Sequence, residues 1–301
     1  MRFTAWIVLV ATLLLWSGNW VVARAVREGV SPAVATIGRL LIVLAILLPF
    51  ALAGLREKLP SLTRGEWLVL AALGLAGGGP HLGLQWLGLH FTTATSGVLY
   101  MSTTPIFVML MAIPLGERVG ALQWIGVAVS LCGVVLIATQ GDPSLVSFNM
   151  GDLLALSSTI VWACYTVLLR MRRDPLSTIE LLVMVCAFGL VFMLPWLAVE
   201  VHQEPGLTLT ADGVLAVVYS AIGSMLLAYV GWSYVVRRLG AAGAGVTMPL
   251  MPAFGVGLSA IFLHEYPHWY HFAGIGLIFA GVGLSSLRSG SRSCRARVRC
   301  G

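Results

Sequence analysis

The sequence predicts an all-α, polytopic membrane protein: ten transmembrane helices, arranged as two inverted five-helix repeats around a central cavity. Three observations predict it. The 301 residues are 58% hydrophobic and 10% charged, with mean hydropathy +0.93. Soluble chains carry about 25% charged residues, so this chain has too few to cover a wetted surface. Apolar runs of about 20 residues, enough to cross a bilayer as a helix, recur from one end to the other. The second half also repeats the first at a nearly constant offset.

The spans lie near 4–23, 33–54, 67–89, 93–114, 122–139, 151–170, 178–199, 213–236, 241–263 and 271–288. Their connectors are short and hold the helix breakers, as in REGVSP, LREKLPSLTRGE, QGDPSLVSFNMGD and HQEPGLTLTADG. No soluble domain of useful size fits between them. The first span resembles a secretory leader, with ARA at 23–25 as a mock cleavage site. Its counterpart in the second half assigns it to the membrane domain instead. The expected domains are 4–141, 149–288 and a basic tail at 289–301.

Charge placement gives the orientation. With the amino terminus inside, fifteen of the 18 basic residues fall on the inner side; Arg24 and Arg27 fall outside, and Arg39 lies within a span. Such an asymmetry follows the positive-inside rule and puts both termini in the cytoplasm. Five cysteines show no metal-ligand spacing, and Cys132, Cys164 and Cys186 sit in apolar runs as small hydrophobes.

Sliding the chain by 146 residues pairs Trp16 with Trp162, Arg24 with Arg170, Ser31 with Ser177, Pro49 with Pro195 and Trp86 with Trp232. With one inserted residue Pro105 meets Pro252 and Phe107 meets Phe254; with another, Glu117 meets Glu265, Gly126 meets Gly274 and Gly133 meets Gly281. An odd number of spans per repeat makes the second copy enter from the opposite face. Inverted repeats are a device of secondary transporters, which bind substrate at the repeat interface near the midplane.

The stretches TPIFVMLMAIPLGERVGALQWIGVAVSLCGVVLIATQG (104–141) and MPAFGVGLSAIFLHEYPHWYHFAGIGLIFAGVGL (251–284) share one plan. Each has Pro and Phe on one helix, an acid at its end and a Gly-rich last helix. LLLWSGNWVVAR and PAVATIGRLLIVLAILLPF supply the start of the repeat. Over residues 5–288 the chain resembles two EamA repeats of the drug/metabolite transporter superfamily. The resemblance implies export of small metabolites, often amino acids, across the bacterial inner membrane through a cavity between the halves. The second repeat departs from the pattern, with EYPHWYHF placing His264, Tyr266, His268 and His271 around Glu265.

Several residues are candidates for the cavity. Trp16, Asn19 and Trp20 share one helix face, and an amide on it needs protein or water rather than lipid. Trp162 and Tyr165 repeat the spacing in the sixth span. An interfacial aromatic belt is the other reading; the depth of Trp16 and Trp162 favours the cavity, while Trp20 suits the belt. Arg39, about 10 Å into the second helix, either meets a substrate carboxylate or pins a helix end. His81 follows AGGGP, a sequence that breaks or kinks a helix, with Gln85 one turn on. His81 is either a titrating relay or a packed histidine. Tyr100 and the polar residues before Pro105, and TMPLMP at 247–252, form matching patches. Pro80, Pro105 and Pro252 are expected flex points. Tyr229 and Trp232 extend the aromatic wall. Glu117 and Glu265, at helix ends, read first as solvated termini and second as latches.

The sequence has no GxxxxGK[ST], so ATP is not an expected partner, and no HExxH or GxSxG, so an enzyme is not expected. No cofactor or nucleic acid is expected. The partners are a small-molecule substrate and the bilayer; the oligomeric state stays open, with a monomer compatible. A multidrug exporter, a channel or a lipid flippase remains as an alternative to amino-acid export. No acid falls mid-membrane, which favours facilitative transport.

Overall fold

The computed structural model describes residues 2–26, 29–91, 100–117, 119–142, 144, 150–203, 209–262 and 267–286. Among these the chain is helical, with no strand and one isolated antiparallel bridge, Val30 to Leu209. Seven helical stretches are long and apolar enough to cross a membrane, and three shorter apolar helices complete the set, at Thr104–Leu115, Ala121–Ile137 and Trp269–Ser285. These fall on the ten expected spans. The start of the fourth span, the tail at 289–301, and His264, Glu265 and Tyr266 lie outside the described residues.

The first two spans are α1 (Arg2–Val26) and α2 (Pro32–Lys58). On α1, Phe3, Ile7, Val10 and Leu14 are exposed at helical spacing, while Leu9, Leu13 and Trp16 are buried. One apolar stripe faces lipid and the other faces protein, because in a bilayer both sides of a helix accept apolar groups. Pro32 sits in the first turn of α2, where its missing N–H is no loss.

The third span is broken into α3 (Arg64–Gly77) and α4 (Pro80–Phe91), joined by Gly78 and Gly79. Thr63 and Glu66 start α3 with a capping box, each side chain taking the other's backbone N–H. The described part of the fourth span is α5 (Thr104–Ala112), and the fifth is α6 (Ala121–Ala138). The sixth and seventh are α7 (Met150–Met171) and α8 (Thr178–Gln203). The eighth runs through α9 (Ala211–Tyr219), a π-helical segment at Ser220–Leu227 and α10 (Ala228–Leu239). A short α11 (Ala241–Gly245) and α12 (Leu250–Phe262) make the ninth, and α13 (Trp269–Ser286) the tenth. The repeat offset lays the π-helical segment on residues 74–81, the very stretch where the third span breaks.

The packing is symmetric under exchange of the repeats. The second spans of the two repeats, α2 and α8, lie together, as do the last spans, α6 and α13. The first span of each packs on the third of the other: α1 on α10, and α7 on α3 and α4. Equivalent helices run antiparallel. The end of α2 meets the start of α8, where Lys58 Nζ reaches Glu180 at 2.8 Å. The start of α2 meets the end of α8, where the Ala33 N–H donates to both Glu200 oxygens at 3.1 Å. Along α6 and α13, Gly126 faces Gly281 and Ser285, and Gly133 faces Gly274. Small residues let two backbones touch, the contact that replaces a hydrophobic driving force in lipid. Two helices that match in sequence and run oppositely across one axis are what an inverted duplication requires.

Candidate functional site

The axis between the repeats is filled by aromatic rings. Trp16 and Trp162, equivalent in the two repeats, meet edge to face with centroids 5.1 Å apart and planes at 89°. Trp16 also lies 5.3 Å from Trp232 and 6.2 Å from Tyr229. Trp162 lies 5.0 Å from Tyr165, 5.4 Å from Tyr229 and 5.0 Å from His81. Offset and edge-to-face rings at these separations attract beyond their burial, by about 0.5–1.5 kcal/mol a pair.

The two irregular helices surround this cluster and give it their free carbonyls. Trp16 Nε1 donates to Ser224 O at 2.9 Å, in the π-helical segment. The Tyr229 hydroxyl donates to Gly77 O at 2.7 Å, at the break of the third span. Non-helical backbone at membrane depth needs partners of this kind. The close approach at the break requires glycine: a Cβ on Gly77 would enter the ring of Tyr165, and one on Gly78 would meet Val185 O and Gly189.

Beside the cluster lies a cavity with about 370 Å³ of atom-free space, mouth included. It is narrow, so its interior admits water-sized molecules until side chains move. Trp16, Asn19, Trp20, His81, Gln85, Trp162 and Tyr229 line it, with Leu82, Met101, Ser224, Met248 and Met251. Its lining draws on α1, α4, α7, the π-helical segment, α10 and α12. On the other side of the cluster, Trp232 Nε1 donates to Thr166 Oγ1 at 3.2 Å, and Tyr165 is fully buried.

The polar groups of the cavity are held firmly. Asn19 Oδ1 accepts from Ser220 Oγ at 2.5 Å. His81 Nδ1 lies 3.0 Å from Ser158 O and 2.9 Å from Ser158 Oγ, whose own hydroxyl reaches His81 O. A carbonyl only accepts, so Nδ1 carries the proton, and in the neutral ring Nε2 is the acceptor. Trp162 Nε1 is buried with no partner among the described residues.

The structure thus gathers most of the expected residues. Trp16, Asn19, His81, Gln85, Trp162 and Tyr229 line the cavity, while Tyr165 and Trp232 do not line it and pack against Trp162. Arg39 is 1% exposed and lies behind the wall, within electrostatic reach of Tyr229 and His81. Tyr100 is half-buried and does not line the cavity, but its neighbour Met101 does. Pro80, Pro105 and Pro252 each fall in the first turn of a helix after a break, rather than within a continuous helix. Trp20 lines the cavity where a belt position suited it in the sequence. Met101 and Met248 are equivalent in the repeats, a symmetry signal that could have marked both. Glu117 is more than a solvated terminus: its carboxylate accepts from the Ala241 and Ala242 N–H groups at 3.1 Å, joining the repeats.

Comparison with known proteins accords with this architecture. Over 289 residues the chain is 27% identical to an "Uncharacterized transporter" of Archaeoglobus fulgidus, covering 94% of this chain and 97% of that one. It is 26% identical over 284 residues to a "Probable terminal-alkyne amino-acid exporter" of Streptantibioticus cattleyicolor, covering 93% of each. A solved crystal structure with 21% identity shares the fold, with TM-score 0.76 over 99% of this chain and 100% of that one. Residues 3–139 and 149–287 each match the EamA-like transporter family, one match per repeat, and the chain belongs to that family.

Proposed function

We propose that this membrane transporter exports small metabolites, amino acids foremost, by alternating access across the bacterial inner membrane. The observation that carries the reading is the pairing of irregular helices. The third and eighth spans, equivalent in an inverted pair, are both interrupted beside one cavity at the repeat interface. Discontinuous helices at that place are the hallmark of carrier binding sites. Methionine and indole walls suit an apolar side chain, and the amides of Asn19 and Gln85 with His81 suit polar ends. The relative named as an amino-acid exporter supports the same cargo class.

With both termini cytoplasmic, as the basic residues indicate, the Trp232–Thr166 bond lies on the inner side of the aromatic cluster. Among the described lining residues there is no carboxylate, and His81 is tied to Ser158. Both features favour facilitative transport over proton coupling.

Counterflow in proteoliposomes tests the reading. Vesicles preloaded with unlabelled amino acids are expected to take up a labelled one saturably, and Trp162→Ala to weaken that exchange at least tenfold. Linear, non-saturating uptake would indicate a channel. Absence of exchange with every amino acid would remove them as cargo.

A further inference from the structure

Three buried side chains in and behind the cavity wall have polar atoms that no described residue satisfies: Thr36 Oγ1, Arg39 Nε and Nη2, and Trp162 Nε1. All of them carry a hydrogen to donate. Arg39 is the costly one. Its guanidinium keeps its charge, and two of its three nitrogens are buried without a described partner, which is strongly unfavourable in a membrane. Thr36 lies one turn before it on the same face of α2. The groups within electrostatic reach of Arg39 are the phenol of Tyr229, the thiol of Cys186 and the imidazole of His81. None is a carboxylate, and the Tyr229 hydroxyl is already bound to Gly77. A guanidinium that only pinned a helix end would have carbonyls on these nitrogens.

Arg39 is on α2, which packs on the π-helical segment and on α4, and both of these contribute to the cavity lining. The described lining has no other cation and no acid. In a low-dielectric interior a positive charge acts over several ångströms, so it favours an anion in the cavity without needing direct contact.

We infer that Arg39 makes the cavity selective for a single anionic group, a carboxylate or an equivalent monovalent anion, and that the cargo is read by that charge. The inference rests on the transport reading for its cargo, but the anion site stands or falls by itself. The anion has two sources, the carboxylate of the cargo or a free inorganic ion. A cargo whose carboxylate is masked as an amide or ester, or removed to leave the amine, is excluded at Arg39.

The experiment has two arms. In the first, counterflow compares each amino acid with its carboxamide, its methyl ester and the corresponding amine. Wild type is expected to exchange the acid about tenfold better than the carboxamide, the preference of a buried charge acting on the cavity through its wall. Arg39→Gln is expected to lose that preference and Arg39→Lys to keep most of it. In the second arm, the tryptophan fluorescence of purified protein is titrated with acetate and with chloride at constant ionic strength. A saturable response present in wild type and absent in Arg39→Gln shows the anion site without any transport. A response to acetate alone assigns the site to the cargo's carboxylate, and a response to both assigns it to small anions in general. If no amino acid exchanges but the fluorescence response depends on Arg39, the cargo class fails and the anion site remains. If Arg39→Gln does not fold, wild type and Arg39→Lys decide. Equal exchange of acid and carboxamide by wild type, with no anion response, overturns the inference.

Discussion

Trp16 and Trp162 are the same residue written twice, yet they do different work. Trp16 Nε1 holds the carbonyl of Ser224, whereas Trp162 Nε1 has no described protein partner. Replacing each by phenylalanine removes one N–H and a similar volume, so the difference between the two variants isolates the hydrogen bond. Trp16→Phe is expected to be less stable than Trp162→Phe by about 1 kcal/mol, since it strands a buried carbonyl. Trp162→Phe is expected instead to raise the apparent KM for exchange by about 2- to 10-fold, the worth of one hydrogen bond to cargo. Thermal unfolding in detergent and saturation curves in proteoliposomes would separate the two; equal stabilities would show that the Ser224 bond contributes nothing. The aromatic pair was legible in the sequence because Trp is rare and the offset repeats it. Its asymmetry was not legible. Residues 16 and 224 are 208 apart, and nothing local in either segment announces the contact.

At the level of elements, the third and eighth spans differ in how much they reveal. GGGP at 77–80 declares a break, since three glycines and a proline cannot propagate a helix. SAIGSMLL at 220–227 declares nothing; its π-helical geometry is accompanied by long-range bonds, Trp16 to Ser224 O and Tyr219 to Leu15 O at 3.1 Å. Only the repeat offset, which lays it on the glycine break, would have pointed there. The last spans, α6 and α13, were legible as small-residue faces but not as partners of each other. Their contact gives a sharp test. A Cβ on Gly281 would collide with Gly126 O and the backbone of Ser130, whereas one on Gly283, two residues on, would meet nothing. Gly281→Ala is expected to lower stability by about 1–3 kcal/mol, as overpacking does, and Gly283→Ala to leave it unchanged. Thermal melts of the two variants check this, and an unshifted Gly281→Ala would mean that α6 and α13 separate freely.

For the whole molecule, alternating access requires contacts that form on one face while their equivalents break on the other. One contact between the repeats suits that role under the proposed mechanism. Glu117, at the end of the fourth span, receives the first amides of α11 from the opposite repeat, with Arg170 at 3.7 Å. The left-handed φ of +80° at Gly240 turns α11 into the carboxylate, an anion at a helix start. By the repeat offset Glu265 is its counterpart on the other face, outside the described residues. In the proposed orientation this contact and the Trp232–Thr166 bond lie toward the same face. Glu117→Ala removes the bond between the repeats without touching the cavity, and so is expected to shift the population toward the opposite opening. Thr166→Cys, beside Trp232 in a background freed of native cysteines, reports that opening through a membrane-impermeant maleimide applied from the face that the proposed orientation makes cytoplasmic. Labelling several-fold faster with Glu117→Ala than without it would make Glu117 a latch of the inner gate. Unchanged labelling, with exchange intact, would reduce it to a cap that holds α11 in every state, and the gate would then rest on the aromatic cluster alone.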